Sequence, residues 1–327
     1  MDDAAPQSFN VVLDEMASGD LEVAGALGHM IEERGLLETL VLGIVELVPD
    51  ATRWRLTITG DMVATVNRLS PRVASYTTKR GAGEAGAITI PQTDGTFDIV
   101  ISASVLFATR EDTGSVEELI AHATAAAAHL SRHEAGHVAL QLRGEDCHSF
   151  QDVEGLDGAT ARWRKMLAAH VDDSRIEQYT ATHAPSPLRN ADHVADAIAH
   201  LRSELNAAKQ TWTADMNSAG SRTVIAANNL VRVLAYLAPE LGMTADGTPR
   251  RPDPTPDGWH EYVEDLWDAW SNAFHRLRSA NEEMSSAELG AVLVELCQIM
   301  IAWMHSFGVE WGIDGDDEYI YWVKATY

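Results

Sequence analysis

The chain has 327 residues, and 46% of them are hydrophobic, so it is long and apolar enough to bury a sizeable core. Its 49 acidic residues outnumber the 24 basic ones and give a formal net charge of −25, which argues against binding nucleic acid through its phosphates. The two cysteines, Cys147 and Cys297, are too few for a disulfide framework and favour a reducing compartment.

The first part of the chain is predicted to contain a small sheet. After a weakly patterned start, residues 36–48 are apolar on several faces and predict a short buried helix. Apolar and polar residues then alternate over residues 52–60, which indicates a half-buried strand. Two further apolar runs, residues 87–91 and 97–107, flank the turn sequence QTDGT. We therefore predict a small, mostly antiparallel sheet.

The rest of the chain is predicted to be helical. Ser115 and Glu118 form a plausible capping box, and one long helix or two abutting helices cover Val116 to Arg143, with Gly144 as a stop signal. Further helical patterns follow at about residues 159–179, 191–213, 221–240, 258–279 and 286–306. The predicted fold class is α+β, with residues 1–145 forming a sheet-containing part and residues 146–327 a mainly helical part.

Two features of the sequence bear on where the protein is located: its first residues and its apolar runs. The first ten residues are acidic and polar, unlike a signal peptide. The richest apolar run is interrupted by Glu295 and Gln298, which is typical of a buried helix. We therefore expect no apolar run of the length that is needed to span a bilayer. We expect a soluble, cytoplasmic protein with no membrane or nucleic-acid partner, and the sequence leaves its oligomeric state open.

The sequence HEAGH, residues 133–137, lies within the long predicted helix. Positions four apart share one face of a helix, so His133 and His137 can direct two imidazoles at one metal ion. Glu134 lies about 100° further round the helix, where it can reach a water molecule on that ion. This is the H-E-x-x-H arrangement of zinc hydrolases, in which the glutamate is the general base. The motif therefore predicts a Zn²⁺ site with Glu134 as the catalytic residue.

A catalytic zinc site usually has a third protein ligand. The sequence AAHVDDSRIEQYT, residues 168–180, places Asp173 and Glu177 four apart on a predicted helix, so both can face one cleft. We predict Asp173 as the third ligand and Glu177 as a residue that supports a histidine ring through a hydrogen bond. Asp172 and Glu177 remain alternative ligands, and a solvated acidic helix face is the ordinary alternative.

HEAGH followed by this acidic helix resembles the zincin superfamily of metallopeptidases over roughly residues 97–180. Zincins with a glutamate ligand often carry a second acidic residue four positions later, and Asp173 and Glu177 show that spacing with the two acids exchanged. The metzincin pattern is absent, because Leu140 and Arg143 stand where it requires glycine and histidine. The resemblance implies a zincin-like fold, a peptide or protein substrate, and an edge strand that holds it, which we assign to Phe97–Val105.

The resemblance thus predicts a zinc-dependent metallopeptidase that hydrolyses peptide bonds with a zinc-activated water and Glu134 as general base. Two alternatives stay open: a zinc hydrolase or tailoring enzyme acting on a small amide or a modified peptide, and a non-catalytic binding protein of zincin fold. Other histidines and tyrosines near the motif are expected to have ordinary structural roles rather than functional ones; they are His129, His148, His170, Tyr179 and His183.

Overall fold

The computed structural model describes residues 10–70, 75–80, 83–108, 115–149, 158–314 and 317–322. The fold is mixed α+β, which confirms the predicted class. The chain forms two compact units. The first comprises Met1–Lys79, Glu84–Leu142 and Tyr179–Leu188, and the second comprises Arg80–Gly83, Arg143–Gln178 and Arg189–Tyr327. The division into residues 1–145 and 146–327 stays a prediction about domains, since these units interleave along the chain.

Strands and helices are mixed up to residue 106, and the described elements are almost all helical afterwards. The strands and helices before residue 80 are β1 (Val11–Asp14), a 3-10 turn (Met16–Ser18), α1 (Leu21–Arg34), α2 (Leu36–Leu47), β2 (Trp54–Thr59), α3 (Met62–Leu69) and β3 (Lys79–Arg80). There follow β4 (Gly83–Glu84), β5 (Ala87–Pro91), β6 (Phe97–Ser102), α4 (Ala103–Leu106) and α5 (Val116–Arg143).

The main sheet of the first unit has the strand order β1-β2-β6-β5. Strand β2 pairs in parallel with both β1 and β6, and only β5 and β6 pair antiparallel. The prediction of a mostly antiparallel sheet is therefore wrong. The physical reason is that α1 and α2 return the chain to the starting edge before β2, and parallel neighbours require such crossovers. Within the described strands of this sheet, β5 and β6 are the pair joined by a short turn, and they pair antiparallel.

Strand β6 lies in the interior of the sheet, since it pairs on both sides and all six of its residues are buried. Burial of every residue, Asp98 and Ser102 included, is typical of a strand covered on both faces. The assignment of Phe97–Val105 to an edge strand is therefore wrong, and α4 already begins at Ala103. Among the described strands of this sheet, β5 forms the edge next to β6.

Helix α5 has the boundaries predicted for it. The Oγ atom of Ser115 accepts a hydrogen bond of 3.2 Å from the backbone N–H of Glu118, which supplies the N-terminal cap. Gly144 follows the last helical residue with φ of 67°, the left-handed conformation that ends many helices. The small apolar side chains of α5 pack into the core with the sheet and α2; they include Ala123, Ala127, Ala135 and Val138.

Helix α2 lies close to α5 at Gly43. A Cβ atom built on Gly43 would lie 2.0 Å from the Oγ and 3.0 Å from the Cβ of Ser131, a fully buried residue of α5. We expect Gly43→Ala to lower the free energy of unfolding by about 1–3 kcal/mol through overpacking, as measured by urea denaturation. Gly25→Ala in α1 is the matched control, because nothing lies within 4 Å of its added Cβ. A Gly43→Ala variant as stable as the control would contradict this packing.

The second unit is built from helices and a terminal hairpin. Its elements are most of α6 (Gly158–His183), α7 (Asn190–Thr211), α8 (Met216–Leu241), α9 (Trp259–Tyr262), α10 (Glu264–His275), α11 (Ser286–Ser306), β7 (Val309–Asp314) and β8 (Asp317–Trp322). The helical character of this region confirms the prediction, whereas the antiparallel hairpin β7–β8 was not predicted. Its core includes four fully buried tryptophans, Trp259, Trp267, Trp270 and Trp303.

Two of these helices, α8 and α11, are long and apolar enough to cross a membrane by length and composition. This corrects the expectation that no segment reaches that length. About half of each apolar window is buried within the chain itself, 50% for α8 and 44% for α11. Such helices are weak evidence for a membrane location, and the cytoplasmic location stays a prediction.

Candidate metal centre

Helix α5 carries three histidines at intervals of one turn. His129, His133 and His137 occupy positions i, i+4 and i+8, so their rings project from one face of the helix. The ring centroids of His129 and His133 are 6.0 Å apart, and those of His133 and His137 are 5.1 Å apart. His129 and His133 are buried, while His137 is half-buried.

The C-terminal turns of α6 belong to the same compact unit as the histidine helix. The hydroxyl of Tyr179 donates a 2.6 Å hydrogen bond to Glu46 Oε1 of α2, and Arg132 of α5 forms an ion pair with the other oxygen of Glu46 at 2.6 Å. The pKa of Glu46 is lowered: burial opposes its ionisation, but the Tyr179 and Arg132 interactions outweigh it. Burial and the bond to Glu46 raise the pKa of Tyr179. These contacts fix the C-terminal turns of α6 at Tyr179, and Glu177 and Asp173 precede Tyr179 by two and six residues on the same helix.

Two overlapping groups of ligand atoms result. One ligand atom from each of His133, His137 and Asp173 lies within 4.8 Å of the others, and the same holds for His129, His133 and Glu177. Two imidazole nitrogens and one carboxylate oxygen form a donor set that fits zinc as well as other divalent transition metals. These histidine and carboxylate side chains can therefore hold a metal ion. His133 is common to both groups.

His129 has a stronger connection to this centre than the sequence indicated. Its Nδ1 atom lies 3.1 Å from the carbonyl oxygen of Ala184, just beyond the end of α6. Because a carbonyl oxygen only accepts hydrogen bonds, Nδ1 is the protonated nitrogen and donates. Nε2 is then the unprotonated nitrogen, the form that ligates a metal ion, and the Ala184 contact fixes the ring orientation.

Asp172 has a different environment from its neighbour Asp173. It is only 4% exposed, and its Oδ2 atom accepts a 2.8 Å hydrogen bond from the backbone N–H of Cys147. Burial raises the pKa of Asp172 well above its ordinary value. Within the described part of the chain, Asp172 belongs to neither of the two groups of ligand atoms that contain His133. Its role as an alternative ligand stays a prediction.

Glu134 is buried and is held by a residue that the sequence did not single out. The hydroxyl of Thr89, in the edge strand β5, lies 2.8 Å from Glu134 Oε2 and 2.9 Å from the backbone carbonyl oxygen of Glu134. The single hydroxyl hydrogen of Thr89 is shared between these two acceptors in a bifurcated hydrogen bond. Thr89 thus fixes the carboxylate against the sheet, and the only sequence signal for it is a polar residue within an apolar strand.

The remaining candidate histidines lie outside the two groups of ligand atoms that contain His133. The Nε2 atom of His170 lies 2.9 Å from Asn228 Oδ1, and complete burial lowers the pKa of His170. His183 stacks on Tyr179 with ring centroids 4.1 Å apart. The side chain of His148 is 91% exposed. In the residues that the structure describes, none of these three histidines joins a group of ligand atoms with His133.

Comparison of the chain with family models, with curated proteins and with solved structures gave no match. An assignment to the zincins therefore depends on the HEAGH motif and on the two groups of ligand atoms.

Proposed function

We propose that this chain is a zinc-dependent metallopeptidase of the zincin type, with His133, His137 and Asp173 as the metal ligands. The observation that carries the proposal is that those three ligand atoms all lie within 4.8 Å of one another, and Glu134 directly follows His133 in the chain. Glu177 and His129 then stand beside the ligands, where they can orient His133 or serve as alternative ligands.

In this mechanism Glu134 is the general base. When bound, zinc lowers the pKa of a water molecule from about 15.7 to about 7 and polarises the substrate carbonyl. The Glu134 carboxylate accepts a proton from the attacking water and later transfers it to the leaving amide nitrogen. The hydrogen bond from Thr89 leaves one carboxylate oxygen, Oε1, for that proton while fixing the other.

The edge strand β5 supports a peptide as the substrate. An edge strand has a row of main-chain N–H and C=O groups to which an extended peptide can add. Strand β5 also carries Thr89, which contacts the proposed base directly. A peptide paired along β5 would thus pass close to Glu134. The proposal includes a peptide or protein partner and a cytoplasmic location, with no nucleic-acid or membrane partner.

Zinc content and peptide cleavage test the proposal together. We expect the purified full-length chain to contain zinc by elemental analysis and to cleave members of a mixed peptide library detected by mass spectrometry. A zinc chelator should abolish cleavage, and added Zn²⁺ should restore it. Cleavage that is insensitive to chelation would overturn the metallopeptidase, and hydrolysis confined to small amides would favour the tailoring enzyme instead. A zinc-free chain with no hydrolytic activity would favour the binding protein.

Thr89→Val should lower the cleavage rate by about 10-fold or more, because a hydrogen bond to a charged group typically contributes about 1.5–3 kcal/mol. Zinc content should remain at the wild-type level, since Thr89 contacts Glu134 and belongs to neither group of metal ligands. Thr89→Ser is the control and should recover most of the rate. Equal rates for the valine and serine variants would show that the hydroxyl does not position Glu134.

A further inference from the structure

The loop that follows α5 holds a third group of metal-binding side chains, separate from the histidine helix. Ligand atoms of Asp146, Cys147 and His148 all lie within 4.8 Å of one another. The Sγ atom of Cys147 is 3.2 Å from Nδ1 of His148, and that nitrogen is 3.4 Å from Oδ1 of Asp146. All three residues belong to the second unit. The group combines a thiol, an imidazole and a carboxylate.

The carboxylate of Asp172 supplies a second, independent observation that points to a ligand at this loop. Asp172 is 4% exposed, and its Oδ2 atom is bound to the N–H of Cys147 at 2.8 Å. Its Oδ1 atom is buried and has no hydrogen-bond partner in the part of the chain that the structure describes. A buried polar atom without a partner costs free energy, and such atoms in native proteins usually bind water, an ion or another group.

We propose that Cys147, His148, Asp146 and Asp172 form a site for a thiophilic divalent cation such as Zn²⁺. A thiolate with an imidazole and carboxylates is a donor set that zinc and cobalt accept. The cation takes the place of the thiol proton, which passes to solvent, and it compensates the buried Asp172 carboxylate.

The existing hydrogen bonds of Asp146 are compatible with this role. Its Oδ1 atom accepts the N–H of His148 at 2.9 Å, and its Oδ2 atom accepts the hydroxyl of Ser149 at 2.6 Å. Each carboxylate oxygen has a second lone pair for a cation. These bonds hold the loop in the turn that brings His148 next to the thiol.

The inference goes beyond the proposed peptidase, because the HEAGH centre contains nitrogen and oxygen ligands only. Sulfur therefore distinguishes the two sites. A Co²⁺ titration of the zinc-stripped, full-length chain should produce a near-ultraviolet charge-transfer band from sulfur to cobalt. Cys147→Ser should abolish the band, while Cys297→Ser, which removes the other, fully buried cysteine, should leave it unchanged. His137→Ala should also keep the band, whatever happens to hydrolysis.

Two results would overturn this site: saturating Co²⁺ that gives no such band with the wild-type chain, or a band that persists in Cys147→Ser. His148→Ala covers the case in which the cysteine variant fails to fold, because the imidazole is 91% exposed and its removal leaves the core intact. That variant should bind Co²⁺ at the sulfur site at least about 10-fold more weakly. An unchanged Co²⁺ affinity in His148→Ala would count against the proposal.

Discussion

Glu134→Gln is expected to lower the rate of peptide hydrolysis by about 10²- to 10⁴-fold, the contribution typical of a positioned general base. Glutamine matches the shape of glutamate but cannot accept the proton from water. Zinc content should stay at the wild-type level, because the ligand groups comprise the histidines of α5 and the acids of α6 without Glu134. The measurement is cleavage of a chosen library peptide together with elemental analysis of the same sample.

Glu117→Gln is the matched control for this substitution. Glu117 lies on the same helix, α5, but in its exposed first turn, so its variant should cleave at the wild-type rate. If Glu134→Gln retains full activity with zinc bound, another group must act as the base. If Glu134→Gln loses both activity and zinc, the residue serves the metal centre rather than the proton transfer.

Asp173→Ala is expected to weaken zinc binding by at least about 100-fold. Loss of a residue that only supports a ligand lowers metal affinity by up to about 100-fold, and loss of a ligand itself should cost at least as much. The group of His133, His137 and Asp173 would keep two imidazoles, which leaves one ligand fewer than catalytic zinc sites normally have. Hydrolysis should fall in proportion to the zinc that is lost. Dialysis against zinc buffers, followed by elemental analysis, gives the change in affinity.

Parallel variants of the neighbouring acids show which group of ligand atoms holds the zinc. Glu177→Ala should cost less zinc than Asp173→Ala, and Asp172→Asn should leave the zinc at the HEAGH centre in place, because Asp172 shares no ligand group with His133. The reverse order, with zinc lost in Glu177→Ala and kept in Asp173→Ala, would assign the ion to His129, His133 and Glu177. His133→Ala should lose zinc in either case, since both groups contain it.

Local patterns in the sequence determined α5 and the candidate ligands. The 3.6-residue periodicity, the Ser115 cap and the left-handed Gly144 define α5 from Val116 to Arg143 without reference to the rest of the chain. The same periodicity places the motif histidines on one face and Asp173 and Glu177 on another helix with matching spacing. These features depend only on residues within a few turns of one another, so the sequence alone predicts them.

Only the tertiary structure decided how the strands pair and which residues surround Glu134. Strand β1 has four residues and weak burial, so its pattern did not predict it, and its parallel pairing with β2 depends on a crossover through α1 and α2. Alternation within a strand cannot show whether it lies inside a sheet or at its edge, which is why the edge position was assigned to β6 instead of β5. The contacts of Thr89 with Glu134 and of His129 with Ala184 join residues 45 and 55 positions apart. Such contacts are set by packing between distant segments, and no local period encodes them.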